Sequence, residues 1–221
     1  MKWIISNHKN ALDESTVHNY ANELQNISFD NINLVICPSD DYLEYFISSN
    51  YSLGCQDINL TFEQLKTYDV KFCIVGHSYK RKIYNETDEQ INKKIKDLIS
   101  NEIVPILCIG EENNDDLKST LKRQLVGGLD GVSANVIIAY EPVWAIGSGI
   151  IPDIDVLRDI ITFIEYEATK ILNKRPIILY GGSVNNKTIS LLENVREIDG
   201  YLIGGASIDL KELKELIEVI K

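Results

Sequence analysis

Short apolar runs alternate along this chain with longer segments whose apolar positions recur every three or four residues. The short runs, at 3–6, 34–37, 52–56, 72–75, 103–109, 136–139, 177–179 and 201–203, read as strands. The longer segments predict helices over 15–24, 41–47, 62–68, 88–100, 115–125, 153–172, 186–192 and 210–220, with Thr61 as the N-cap of the third. In the fourth, Ile91, Ile95, Leu98 and Ile99 share one face; in the sixth, Leu157, Ile160, Ile161 and Ile164 do so.

The strands are continuously apolar rather than alternating, as expected when both faces of a sheet are covered. Eight strand–helix units in 221 residues fit an α/β chain closed as a (β/α)8 barrel, toward the small end for that architecture. An open doubly wound sheet is the alternative. It would carry a glycine-rich loop after the first strand, where this chain has Ser6-Asn7-His8-Lys9-Asn10. No linker, low-complexity tract or shift in composition divides the sequence, so a single domain over 1–221 is expected.

Composition narrows the partners. The net charge of −11 argues against nucleic acid or an anionic membrane, while leaving room for a small anionic substrate at a locally positive site. The apolar run at Trp3-Ile4-Ile5 is too short for a signal peptide and no window reaches membrane-spanning length, so a soluble, cytoplasmic protein is expected. Cys37, Cys55, Cys73 and Cys108 form no CxxC pair and each falls in a strand, which reads as buried reduced thiols rather than a metal site.

Chemistry is expected where a barrel brings its strand ends together, at the C-terminal face. Asn7 and Lys9 follow the first strand, Gly76-His77-Ser78 the fourth, Glu141 the sixth, Gly181-Gly182-Ser183 the seventh, and Gly204-Gly205 the eighth. Taken singly, Lys9 reads as a solvated lysine, His77 as a structural histidine, Glu141 as a surface acid and the glycines as tight turns. Together they suit one reaction. Glu141 can remove a proton from a carbon beside a carbonyl. His77 and Lys9 can stabilise the resulting oxyanion. The glycines after the last two strands let backbone N–H groups approach a phosphate, with Ser183 as a further donor. The turn at Gly147-Ser148-Gly149 can cover the site and exclude water.

Several segments resemble triosephosphate isomerases: Ala139-Tyr140-Glu141-Pro142-Val143-Trp144-Ala145-Ile146-Gly147-Ser148-Gly149, Ile74-Val75-Gly76-His77-Ser78, Leu107-Cys108-Ile109-Gly110-Glu111, Tyr180-Gly181-Gly182-Ser183-Val184, and Gly200-Tyr201-Leu202-Ile203-Gly204-Gly205-Ala206-Ser207. The resemblance spans nearly the whole chain and implies a TIM barrel. It also implies interconversion of dihydroxyacetone phosphate and glyceraldehyde 3-phosphate without a cofactor. Glu141 would be the base and His77 the neutral electrophile, a pairing that belongs to the family. Lys9 and Asn7 would contact substrate, and Gly147, Ser183, Gly204 and Gly205 would bind its phosphate.

Three departures qualify that expectation. Only Asp57-Ile58-Asn59-Leu60 separates the third strand from its helix cap, where dimeric members of the family carry a longer loop that enters the partner; a monomer or a non-standard homo-oligomer is therefore expected. Tyr79 stands where the family has a glutamate near the lysine. The far hinge of the lid reads Ile150-Ile151-Pro152, and Pro152 has no N–H to offer a latch at Tyr180. A catalytically weak relative that binds a phosphorylated metabolite as a sensor, or a different aldose–ketose isomerase, are the competing readings.

Overall fold

A computed structural model describes residues 1–29, 31–112 and 116–220. Eight parallel strands, β1 Lys2–Asn7, β2 Ile32–Cys37, β3 Ser52–Cys55, β4 Phe72–Val75, β5 Val104–Ile109, β6 Ile137–Tyr140, β7 Ile177–Tyr180 and β8 Gly200–Ile203, pair in chain order and close, β8 against β1. The helices are α1 Glu14–Leu24, α2 Phe62–Thr67, α3 Ser78–Tyr84, α4 Asp88–Ser100, α5 Leu117–Leu129, α6 Ile154–Leu172, α7 Ile189–Leu192 and α8 Leu210–Ile220. This is the (β/α)8 barrel the sequence predicts.

The period of two along each strand sorts side chains between two cores. Ile5, Val35, Ile74, Cys108, Ala139 and Leu202 belong to an inner cluster that fills the barrel. Their neighbours Ile4, Leu34, Val75, Leu107, Ile138 and Ile203 belong to the larger cluster packed under the helices. The same alternation carries past the strand ends. Asn7 lies two positions beyond Ile5, and Glu141 two beyond Ala139, so both continue the inward face.

Local chemistry ends the helices where expected. Thr61 and Gln64 form a reciprocal capping box at α2, Thr87 and Gln90 another at α4, and Asp153 caps α6. Four segments differ from the sequence pattern. Residues Asp40–Phe46 form a 3₁₀ rather than an α-helix, with Leu43 and Phe46, three apart, both buried. Helix α3 has no fully buried residue, hence no apolar stripe for periodicity to detect. Helix α7 is a single turn, since the Asn185 and Thr188 side chains bond the backbone of 183–188 and displace helix there. Helix α5 runs on to Leu129 through Gly127, where a Cβ would stand 2.6 Å from that of Asp88 on α4. The expected start of that helix at Asp115 lies outside the described residues. All four cysteines are buried and free. No helix among the described residues is long and apolar enough to cross a membrane.

Candidate active site

The acid at the tip of β6 is almost wholly buried. Its N–H continues the ladder to Ile109 O at 2.8 Å, and Pro142 then ends the pairing. Two glycines make room for it. A Cβ on Gly110 would fall 1.9 Å from the Glu141 carbonyl oxygen, and one on Gly181 would fall 2.6 Å from its Cγ. Glu141 Oε1 lies 3.6 Å from His77 Nε2, and among the described residues Glu141 Oε2 and His77 Nε2 are buried atoms with no hydrogen-bond partner.

His77 follows β4 and caps the short helix α3. Its Nδ1 accepts from the backbone N–H of Tyr79 at 3.2 Å. An acceptor at Nδ1 assigns the ring as neutral with its hydrogen on Nε2, aimed toward Glu141. Beneath it, Arg81 donates through Nε to Gly76 O at 2.8 Å and through Nη1 to Asp88 at 2.6 Å. Arg123 pairs with the other oxygen of Asp88. The main chain just before the imidazole is thus held by a guanidinium. Cys108, at the end of β5, stays a neutral thiol because burial and then the negative charge of Glu141 push its pKa well up.

Asn7 and Lys9 lie at the end of β1. Lys9 adopts φ 51°, a left-handed conformation that a non-glycine residue rarely holds, and its N–H donates to Asn7 Oδ1 at 3.2 Å. Its side chain crosses Gly204, where a Cβ would sit 2.9 Å from Lys9 Cε. Among the described residues, Lys9 has no ion pair. A cleft of about 730 Å³ opens here, bordered by Asn7, Lys9, His77 and Ile146 and continuing past Tyr79 and Lys80. Glu141 lies at the back of this face, beside Gly110 and Val143.

The four candidate phosphate residues sit on three strand-end loops of the same rim. Gly204 and Gly205 begin the 3₁₀ turn after β8. Ser183 follows β7 with φ 40°, and Gly147 lies in the loop after β6 with φ 69°. Among the described residues, none of their backbone N–H groups donates within the protein. The Ser183 hydroxyl is engaged elsewhere. It accepts from Gly149 N–H at 2.9 Å and donates to Ala145 O, tying the loop to β7. What Ser183 could offer an anion is therefore its main chain rather than its Oγ.

The near end of the loop is held by Glu111, whose Oε1 accepts from Trp144 Nε1 at 3.0 Å and from Tyr140 OH at 3.1 Å, and whose carbonyl accepts from Val143 N–H at 3.0 Å. Toward its far end the loop is held at Gly149 by the Ser183 hydroxyl. Among the described residues, Tyr180 OH is buried without a hydrogen-bond partner. Sequence reasoning quoted Glu111 within a motif and assigned it no task. The rule that found Glu141, an acid just beyond an apolar strand, would have found it too.

Comparison with known proteins agrees with this geometry. The family model described as Triosephosphate isomerase matches residues 2–220. The chain is 42% identical over 172 residues to the triosephosphate isomerase of Mycoplasmoides gallisepticum, an alignment covering 72% of this chain and 68% of that protein. It is 35% identical over 208 residues to that of Mycoplasmopsis pulmonis, covering 85% and 82% of the two chains. Against that of Francisella tularensis subsp. novicida the identity is 30% over 242 residues, covering 98% of this chain and 96% of the other. The chain belongs to the triosephosphate isomerase family, a family of isomerases.

Proposed function

We propose that this chain interconverts dihydroxyacetone phosphate and D-glyceraldehyde 3-phosphate, with Glu141 as base and His77 and Lys9 as the groups that stabilise the intermediate. The observation that carries the reading is the approach of Glu141 Oε1 to His77 Nε2 at 3.6 Å, with both groups ending in unpartnered buried atoms. Glu141 takes the proton from the carbon beside the carbonyl. The electron pair forms a carbon–carbon double bond, and the carbonyl oxygen becomes an oxyanion. The Nε2–H of His77 donates to that oxygen, and the ammonium of Lys9 offsets its charge. The hydroxyl proton on the neighbouring oxygen passes to the oxyanion, that oxygen becomes the new carbonyl, and return of the abstracted proton to the neighbouring carbon gives the isomeric product. General-base chemistry of this kind contributes about 10²- to 10⁴-fold. The unpaired N–H groups of Gly147, Ser183, Gly204 and Gly205 are suited to the substrate's phosphate, and no cofactor is needed.

The proposal extends to association. The connection from Gln56 to Thr61 is fastened within its own chain. Asp57 is buried and takes Lys94 at 2.5 Å and Lys80 at 2.9 Å, while Asn59 donates to Asp40 at 2.7 Å. Burial alone would raise the Asp57 carboxyl; the hydrogen bonds from Lys94 and Lys80 outweigh it and hold it below the usual carboxylate range. Tyr79, replacing an acid, packs edge-on against Tyr84 at 6.0 Å and makes no claim on Lys9. We read this as a single (β/α)8 domain whose site is complete in one chain, so that it works as a monomer or in a homo-oligomer of non-standard form.

A coupled assay with glyceraldehyde 3-phosphate tests the activity. Turnover is expected; phosphate-analogue binding without turnover would replace this reading with a phosphometabolite sensor.

A further inference from the structure

Helix α1 reaches the loop after β8 through the side chain of Tyr20. Tyr20 is buried, and its hydroxyl donates to the carbonyl of Ser207 at 2.8 Å, 187 positions away in the chain. Ser207 closes the turn that begins at Gly204. Its N–H donates to Gly204 O at 2.9 Å, and its Oγ lies 2.9 Å from Ile203 O and 2.8 Å from Gly204 O. The turn is therefore cross-tied on itself and to the end of β8, and the Tyr20 hydroxyl adds an anchor from α1.

The same ring also supports the other strand end of the anion site. His8, between Asn7 and Lys9, is buried with its ring edge-on to Tyr20 at 5.0 Å and to Phe46 at 5.4 Å. Its N–H donates to Cys37 O at 3.1 Å, and its carbonyl accepts from Ala11 N–H at 3.0 Å. Lys9 leaves this anchored residue and lies across Gly204. One phenol thus touches both the support of Lys9 and the turn that bears the free N–H groups of Gly204 and Gly205. Burial keeps that phenol protonated, and so a donor, by raising its pKa far above the ordinary tyrosine range.

We propose that Tyr20 is a positioning residue for phosphate, setting the Gly204–Gly205 turn against Lys9 through its bond to Ser207. The inference rests on the phosphate-binding reading given above. A residue of purely structural value would contribute packing alone. A positioning residue would change affinity for the anion while leaving the proton-transfer groups untouched.

Tyr20→Phe removes one oxygen and keeps the ring against His8 and Phe46. Losing one hydrogen bond that orients a binding loop corresponds to about a three- to tenfold effect. The Kd for inorganic phosphate and the KM for glyceraldehyde 3-phosphate should therefore both rise by about that factor, with kcat within about twofold of wild type. Val17→Ala, which trims a buried side chain elsewhere on α1, should lower Tm and leave both constants unchanged. Unchanged phosphate Kd and KM in Tyr20→Phe would overturn the inference. If the wild type fails to turn over but binds phosphate, the phosphate arm still decides the point, with a raised Kd upholding it and an unchanged one refuting it. A wild-type chain that binds no phosphate would overturn it together with the reading beneath it.

Discussion

The imidazole Nε2 of His77 stands 3.6 Å from Oε1 of Glu141, with the Nδ1 of the same ring filled by the N–H of Tyr79. The two groups come from β4 and β6, which do not pair directly; β5 lies between them. What brings them together is the end of β5. Gly110 lets the Glu141 main chain approach, and the carbonyl of Ile109 holds it.

Gly181 tests how closely the base is placed. A methyl there would stand 2.6 Å from Glu141 Cγ and must push the carboxylate aside. Misplacing a reacting group by about 1 Å can cost about 100-fold. Gly181→Ala should lower kcat by about that factor while circular dichroism shows a folded barrel. Wild-type kcat in this variant would mean that the carboxylate position does not govern turnover.

The loop after β6 is held at its near end by Glu111 and at Gly149 by Ser183, and Tyr180 takes no part. Ser183→Ala should reduce kcat/KM by about tenfold, in line with the loss of two hydrogen bonds. Tyr180→Phe should stay within about twofold of wild type. The reverse ranking would show that Tyr180 latches the loop despite Pro152.

His8 makes stability depend on pH in a definite direction. Burial lowers its pKa from 6.5 to about 4, so the folded state holds it neutral where the unfolded state charges it. Well above pH 6.5 both states are neutral and protonation of this residue costs the fold nothing. As pH falls from 6.5 toward 4 the unfolded chain alone takes up the proton, and stability drops by roughly 3 kcal/mol. His8→Phe should lose this component. Chemical denaturation of both proteins at pH 7 and pH 4.5 measures it, and an identical drop in the two would assign the acid sensitivity to other groups.

Self-contained fastening of Asp57 predicts behaviour on dilution. Specific activity should hold constant as the protein is diluted through the range where scattering reports the mass of a single chain. Activity that falls in step with loss of a dimer would show that a partner completes the site.

The barrel was legible in the sequence because doubly buried strands leave unbroken apolar runs, and amphipathic helices such as α4 and α6 leave a periodic stripe. Helix α3 left none, since no side chain of it is fully buried, and α7 was overestimated because Asn185 and Thr188 bond the backbone in place of helix. The candidate residues at Asn7, Lys9, His77 and Glu141 could be read because each lies at or just past a strand end. Their supports could not. Arg81 turns back to Gly76 O five positions earlier, while Lys94 reaches Asp57 and Tyr20 reaches Ser207 across 37 and 187 positions, and no apolar period or motif marks these side-chain bonds.

Glu141 is the base on which the proposed proton transfer depends. Glu141→Gln keeps shape and hydrogen-bonding capacity and removes the base. The kcat for glyceraldehyde 3-phosphate in this variant, compared with wild type at equal phosphate-analogue affinity, is the direct measurement. A loss of about 10²- to 10⁴-fold with binding retained is expected. A variant that turns over at the wild-type rate would contradict it.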